Sequence, residues 1–429
     1  MQHIHLKTAL ALVVAGLSTQ SLANGLAINE QSVSGMGTSF AGRSSAAQDA
    51  STVFGNPAGM SKLKHNEISG GFAYVAPSTD IDHVQSGVAG TSKGDIAPRA
   101  TVPFAYLVTP INEDWHFGLG LYVPFAVISD NEKSFQGRAQ GLYSKVQVTT
   151  LQPTISYRIS PSVSVGFGPT INKIDGKLTS LINTSTFFPG NTDTKVNVEG
   201  DDIGYGFNAG VLVDLTERTT WGLSYRSKVE YKLEGRTKFQ GSNTNLGLLG
   251  VAGQYDAKLD LTLPESVDTS ITHQLNDQWT LYVGSTWTRW SRLEEILVEN
   301  QGATGNFAQI SEEMGWRDTW SHAIGAAYQL NPQWVLRAGF ALDQTPTTNA
   351  HRNVRIPVGD RKIFSLGAGW TPTESTTVDI AYAYVHEEDV SVNQPNGGQV
   401  APGAFLKPAY NASYKNKAHG VGAQLSYRF

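Results

Sequence analysis

From about residue 66 the chain alternates apolar side chains with polar or small ones. Along Trp115–Val123, Phe117, Leu119, Leu121 and Val123 fall on one side, and His116, Gly118, Gly120 and Tyr122 on the other. Ser162–Phe167 and Thr376–Val385 alternate in the same way. A period of two predicts strands with one apolar face. A soluble β-sandwich would show it too, so alternation alone leaves the fold open.

The connections narrow it. Short polar turns are expected at Pro110–Glu113, Ser160–Pro161, Thr216–Arg218, Asn276–Asp277, Asn331–Pro332 and Pro372–Ser375. Between them come longer loops near 78–97, 128–144, 178–201, 235–256, 299–315, 346–360 and 387–415. Short and long connections alternate strictly. An up-and-down barrel does this when all turns share one rim and all loops the other, as in outer-membrane barrels. Thirteen such connections join fourteen antiparallel strands, so the fold class expected is an all-β, 14-stranded transmembrane β-barrel.

All nine tryptophans fall near predicted strand ends. Indole favours the lipid–water boundary, so they are expected to form two aromatic girdles. At the C-terminus Val421, Ala423, Leu425, Tyr427 and Phe429 share a face, the pattern of a terminal outer-membrane assembly signal. At the N-terminus Lys7, the apolar run Thr8–Leu17 and Ser21–Ala23 read as an export signal over residues 1–23, cleaved before Asn24. No later apolar run is long enough for a helix to span a bilayer. Residues 24–65 do not alternate; they are small, polar and glycine-rich, and are expected to plug the lumen of a barrel formed by residues 66–429.

Composition removes competing readings. Charged residues make up 16%, below the ~25% of soluble domains. The net charge of −5 suggests no nucleic-acid partner. With no cysteine there are no disulfides, thiolate metal sites or thiol nucleophiles. The ten histidines show no metal-ligand spacing, so neither metal nor cofactor is expected. Gly90–Gly94 matches G-x-S-x-G, but it lies in a loop without the strand and helix a nucleophile elbow needs, so no enzyme is expected.

At this point the residues resemble the FadL family of outer-membrane long-chain fatty acid transporters. Asn24–Glu30, Ser34–Gly37 and Asn56–Ala58 look like its N-terminal hatch; Tyr205–Gly210, Tyr225–Ser227, Leu263–Glu265, Trp287–Ser291 and Phe340–Pro346 look like its barrel strands. The resemblance implies capture of a hydrophobic ligand at an outer groove, transfer to an interior pocket, and release sideways at a kink in the third strand. Pro124 in that strand lacks a ladder N–H, so it either kinks the strand or ends it at the rim.

Two outer loops are unusually apolar. One carries Leu178, Leu181, Ile182, Phe187 and Phe188, the other Leu246, Leu248 and Leu249. Exposed apolar patches mark binding surfaces, and the resemblance makes these the outer groove. A carboxylate needs Arg or Lys in a poorly hydrated cavity; the family pattern suggests Lys177 or Lys173 on the fifth strand and Arg317 on the tenth. Asn56, Pro57 and Ala58 would hold the hatch in one state, or form a plain turn.

The function expected is passive uptake of long-chain fatty acids, with aromatic hydrocarbons as the alternative ligand class and a general porin as a third reading. Expected partners are the hydrophobic solute, outer-membrane lipid and lipopolysaccharide, and the barrel-assembly machinery. The chain is expected to act as a monomer.

Overall fold

A computed structural model describes residues 25–185 and 192–429, apart from the side chains of Leu248 and Ala401. The export signal over 1–23, Phe187, Phe188 and the Leu248 side chain therefore lie outside the described residues.

Fourteen antiparallel strands close into a barrel. They are β1 (Glu67–Ser86), β2 (Ala100–Pro110), β3 (Trp115–Asp130), β4 (Tyr143–Ser160), β5 (Val163–Ile182), β6 (Thr194–Thr216), β7 (Thr219–Arg226 and Val229–Gln240), β8 (Gln254–Leu263 and Ser266–Gln274), β9 (Trp279–Thr288 and Glu295–Asn300), β10 (Gln309–Glu313 and Thr319–Asn331), β11 (Trp334–Asp343), β12 (Arg361–Thr373), β13 (Thr376–Glu387) and β14 (Tyr410–Arg428). Each pairs with the next, and β14 pairs back onto β1 from Glu67↔Arg428 to Ser86↔Tyr410. Arg428 Nε lies 2.9 Å from Glu67 Oε2 across this seam. Closure pairs the edges of the first and last strands with each other.

The alternation resolves as expected. His116, Gly118, Gly120 and Tyr122 are buried inside, while Phe117 and Leu119 face out. Around the barrel, Phe72, Ile171, Leu281, Leu366 and Val421 are exposed, forming an apolar belt. Near the short turns, Trp334 stacks on Trp370 at 5.9 Å, and Trp115 and Trp279 pair with Tyr157 and Tyr328.

The girdle expectation fails for two tryptophans. Trp290 and Trp316 are 0% and 5% exposed and pack edge to face in the lumen. The cause is a row of interruptions: β7 breaks at 227–228, β8 at 264–265, β9 at 289–294 and β10 at 314–318. Pro264 has no N–H to give the ladder. Glu265, in the break of β8, accepts hydrogen bonds from Arg289 and Arg292 in the break of β9. A residue that leaves the ladder no longer obeys inside–outside alternation.

Residues 25–66 fold inside the cylinder as short helices at Val33–Met36 and Thr52–Gly55 and a 3-10 turn at Pro57–Lys62. Their small side chains permit close docking: Ala41, Ala50, Val53 and Ala58 are fully buried. Hydrogen bonds reach walls on several sides, including Val33 to Gln424, Ser39 to Ser365, Ser44 to Ser270 and Gln152 to Val53.

Candidate functional site

The Asn-Pro-Ala turn is a close hatch contact. Asn56 donates to the carbonyls of Ser44 (2.7 Å) and Val211 (2.9 Å), and its Oδ1 accepts from the Ala58 N–H at 3.0 Å. Pro57 opens the 3-10 turn, where its missing N–H costs nothing. The turn presses on paired Gly166 and Gly210 of β5 and β6; a Cβ on Gly166 would lie 2.4 Å from the Ala58 nitrogen.

The wall has an unpaired stretch next to the hatch at β3. β2 pairs with β1 from Ala100, but with β3 only between Ala105↔Leu121 and Pro110↔His116. Beyond Leu121, β3 has no β2 partner. Its register with β4 also shifts between Tyr122 and Phe125, across Val123 and Pro124. The strand continues to Asp130, so Pro124 sits at a bulge and not at the rim. The N-terminal segment occupies the free edge: Ile28 N–H donates to the Pro124 carbonyl (2.8 Å), Ala126 N–H to the Leu26 carbonyl (2.9 Å), and Ala27 faces Phe125 in an antiparallel bridge. Gln31 Nε2 adds a 2.6 Å bond to the Val123 carbonyl.

An apolar path runs from the outer mouth to this gap. The outermost cavity, about 290 Å³, is lined by Leu178, Ile182, Val196, Phe307 and Leu406, with Arg355 and Lys407. Below it a 60 Å³ cavity shares Leu178, Val198, Ile296 and Val298 with the first and adds Ile174, Leu233 and Leu261. Those three belong to the lumen cluster that also holds Leu26, Val229, Trp290 and Trp316, with Ala27 and Phe125 against it. Ala27, Phe125 and Val229 in turn line a 70 Å³ pocket at the gap, together with Tyr122, Pro124, Arg43 and Arg226.

The two arginines give that inner pocket its charge. Arg226 stacks over the Phe54 ring (3.7 Å) and donates to the Phe54 carbonyl. Arg43 donates to Asn29 Oδ1 at 2.7 Å. Both Nε atoms are buried and have no hydrogen-bond partner among the described residues. Two guanidinium groups lining one pocket favour an anion there.

The basic residues suggested by sequence do not converge. Lys173 and Lys177 alternate with the inward Ile174 and Leu178 and pair with Asp175 and Glu199; Lys173 is exposed, and Lys177, also exposed, borders the 60 Å³ cavity. Arg317 is exposed in the break of β10. The apolar loop residues do meet: Leu246 and Leu249 pack with Ile182, Val196, Phe239, Phe307 and Leu406, and Leu178 lines the adjoining cavity. Arg43 and Lys407 have no sequence signature; Arg226 lies within the Tyr225–Ser227 stretch, but the cavity it faces could not be read from the sequence.

A model of the family described as outer membrane protein transport protein (OMPP1/FadL/TodX) matches residues 14–429. A long-chain fatty acid transport protein of Escherichia coli O6:H1 (strain CFT073) is 29% identical over 451 residues, covering 99% of this chain and 98% of its own. Outer membrane protein P1 of Haemophilus influenzae is 27% identical over 468 residues, with 99% and 98% covered. The crystal structure of a Pseudomonas aeruginosa FadL homologue matches with a TM-score of 0.84 at 25% identity, covering 94% of this chain and all of that one. The Pseudomonas putida toluene transporter TodX shares the fold, with a TM-score of 0.65 at 17% identity over 90% of this chain and 95% of that one. Barrel and comparisons agree on an outer-membrane location and on transport of hydrophobic compounds, not catalysis. Matched from residue 14 to its last residue, the chain belongs to the OMPP1/FadL/TodX family of outer-membrane transport proteins.

Proposed function

We propose that the protein takes up long-chain fatty acids passively, capturing them at the outer cavity and releasing them sideways at the β2–β3 gap. One observation carries this reading: the apolar path ends at Arg43 and Arg226, beside Pro124 and the only part of β3 that pairs with the hatch in place of β2. The acyl chain gains from burial at ~0.8 kcal/mol per methylene, and the carboxylate is neutralised by guanidinium groups whose Nε donors are otherwise unused. The ligand named for the Escherichia coli relative is the same.

Displacing residues 26–28 from β3 would open the wall without breaking any strand pairing. Release into the bilayer's inner leaflet region then needs no energy source beyond binding and downstream consumption. The decisive experiment is growth on oleate in a strain lacking its own uptake channel. Restoration by the intact chain, reduced by Arg226→Met, supports the reading; no restoration despite confirmed membrane insertion overturns it.

Neutral aromatic hydrocarbons are the second reading. The 60 Å³ cavity supports it, because Val146, Ile174, Leu233, Leu259 and Leu261 make its wall apolar. Toluene uptake that is insensitive to Arg43 and Arg226 would favour it.

The remaining partners follow from the outer surface. Glu230, Lys232, Glu234, Lys238 and Lys258 line the outside of the outer tier, joined there by Lys173 and Lys177, and suit lipopolysaccharide headgroups. Exposed Val421, Leu425, Tyr427 and Phe429 present the final strand to the assembly machinery. The apolar belt on strands all round the barrel suits a monomer in lipid.

A further inference from the structure

The loop between β11 and β12 does not stay at the rim. Asp343 and Arg361 pair with each other, so a short turn would join the two strands. Residues 344–360 instead fold inward, and 352–359 are all buried. Loops ordinarily run over the surface, because buried backbone needs hydrogen-bond partners. This one has them. Arg352 donates to the Val358 carbonyl (2.9 Å) and Asn416 to the Pro357 carbonyl (2.7 Å). The Gly359 N–H donates to Glu387 (2.7 Å), and the N–H groups of Arg355 and Ile356 donate to Asn353 Oδ1 (3.1 and 3.0 Å).

The tip of the loop reaches the far wall. Arg355 donates to the Tyr143 carbonyl and Ser144 at β4, to the Thr179 carbonyl and Ser180 at β5, and pairs with Glu312 at 3.1 Å. β4 and β5 stand half-way round the barrel from β11 and β12. The span is packed along its length. Val354 sits among Phe135, Tyr410 and Tyr414, and Ile356 and Val358 join Leu26 of the hatch segment with Trp290 and Trp316. A Cβ on Gly141 would lie 2.8 Å from Arg355 Cγ. Beside this strut, the 60 Å³ cavity is lined by β4 to β9 alone.

We propose that residues 344–360 form a specificity-determining strut, which closes the lumen to polar solutes and leaves only the apolar crevice along β4 to β9 open to a ligand. Arg355 is its positioning residue, because it fixes the tip to the opposite wall. A hydrophilic molecule entering the crevice would exchange its hydration for Ile174, Leu233 and Leu261, whose side chains offer no hydrogen bonds. An alkyl chain or an aromatic ring gains from the same walls. The hatch stoppers the cylinder at one level and the strut screens the ligand path at another. Both acids and neutral hydrocarbons would pass such a screen, so the strut stands or falls separately from the choice between them.

The absence of native cysteine makes the test direct. Thr288, 5% exposed, lines the inner pocket, so Thr288→Cys places a single thiol on the protected side of the strut. Its labelling rate is measured in full-length protein in lipid nanodiscs, with a sulfonated maleimide and with an uncharged aryl maleimide. Each rate is divided by that of the same reagent with free cysteine. The strut is then removed, with residues 347–358 replaced by Gly-Ser, or freed at its tip by Arg355→Ala. Every protein is first checked for a folded, heat-modifiable barrel. With the strut intact, the sulfonated reagent is expected to react at least about tenfold more slowly than the aryl one. Removal should bring the two rates together, and Arg355→Ala should move them part of the way. A folded, strutless barrel that keeps the original ratio overturns the proposal. Sulfonated labelling as fast as aryl labelling with the strut in place also overturns it. Removal that equalises the rates while Arg355→Ala leaves them at the original ratio overturns the role given to Arg355.

Discussion

A Cβ on Gly210 would fall 1.9 Å from Oδ1 of Asn56, so the hatch is keyed into β6 at a position that tolerates no side chain. Asn56→Ala removes three hydrogen bonds there and leaves the Ser44 and Val211 carbonyls and the Ala58 N–H without that partner. Each buried group left unpaired costs about 1–3 kcal/mol. Both Asn56→Ala and Gly210→Val should loosen the hatch and produce discrete openings in planar bilayers where the wild type is quiet. Traces identical to wild type for both would show that the turn does not latch the plug.

Ala27 and Phe125 face each other in an antiparallel bridge, and the chain has no cysteine of its own. Opposed residues of antiparallel strands lie at a Cα separation that a disulfide can span. The double substitution Ala27→Cys, Phe125→Cys should therefore oxidise readily and pin the N-terminal segment across the gap. Oleate uptake is expected to fall at least about tenfold when oxidised and to recover on reduction. Transport at full rate through the oxidised form would eliminate the side exit.

Arg226 is expected to discriminate ligands by charge. Hydrogen bonds to charged groups contribute about 1.5–3 kcal/mol, so Arg226→Met should weaken oleate uptake roughly tenfold or more and leave toluene uptake close to wild type. Because Arg226 also holds the Phe54 carbonyl, Arg226→Lys serves as the companion variant: it keeps the charge but not the planar fork. Equal losses for acid and hydrocarbon would mean the residue only supports the hatch.

Binding of acids should depend on pH through Lys407, whose pKa burial lowers; Glu312 acts against that shift and Arg355 with it. The ammonium is charged below its pKa and neutral above, so a preference for acid over ester is present below the lowered value and lost as pH rises through it. An exposed lysine would hold its charge further into the alkaline range. Lys407→Arg, whose side chain does not deprotonate in proteins, should flatten that decline. An unchanged profile in this variant would assign the pH effect elsewhere.

Stability of the inner ring should depend on Arg337 and Asp379, which meet at 2.5 Å with side chains 8% and 3% exposed. Removing one partner of a buried pair costs about 3–5 kcal/mol. Arg337→Ala should lower the temperature at which the folded band converts to the unfolded one on a denaturing gel. Replacing both residues with apolar side chains should recover part of the loss.

The barrel was legible in the chain because its two signals are local. Alternation tells Phe117 from Gly118, and turn chemistry separates Pro110–Glu113 from the loops. The hatch was legible as a stretch lacking both. Trp290 and Trp316 were misjudged because position near a strand end implies the interface only while the ladder persists, and the break of β9 is a tertiary event held by Glu265 with Arg289 and Arg292. The cations failed for a related reason. Lys177 is one residue from Leu178, and a single step along a strand exchanges lumen for exterior. Arg43 lies where no periodicity operates and Lys407 ends a strand of only 4 residues, so only three-dimensional packing reveals what they face.

The interruptions in four neighbouring strands divide this flank of the cylinder into two storeys joined by short covalent links. Hydrogen-bonded registry in the lower storey, where β7 to β10 meet the hatch, does not propagate upward through those strands. Loops and hairpins above can lengthen, shorten or change chemistry while the ring beneath keeps its geometry. The chemistry of the outer mouth can thus drift in evolution independently of the machinery that stoppers and inserts the barrel.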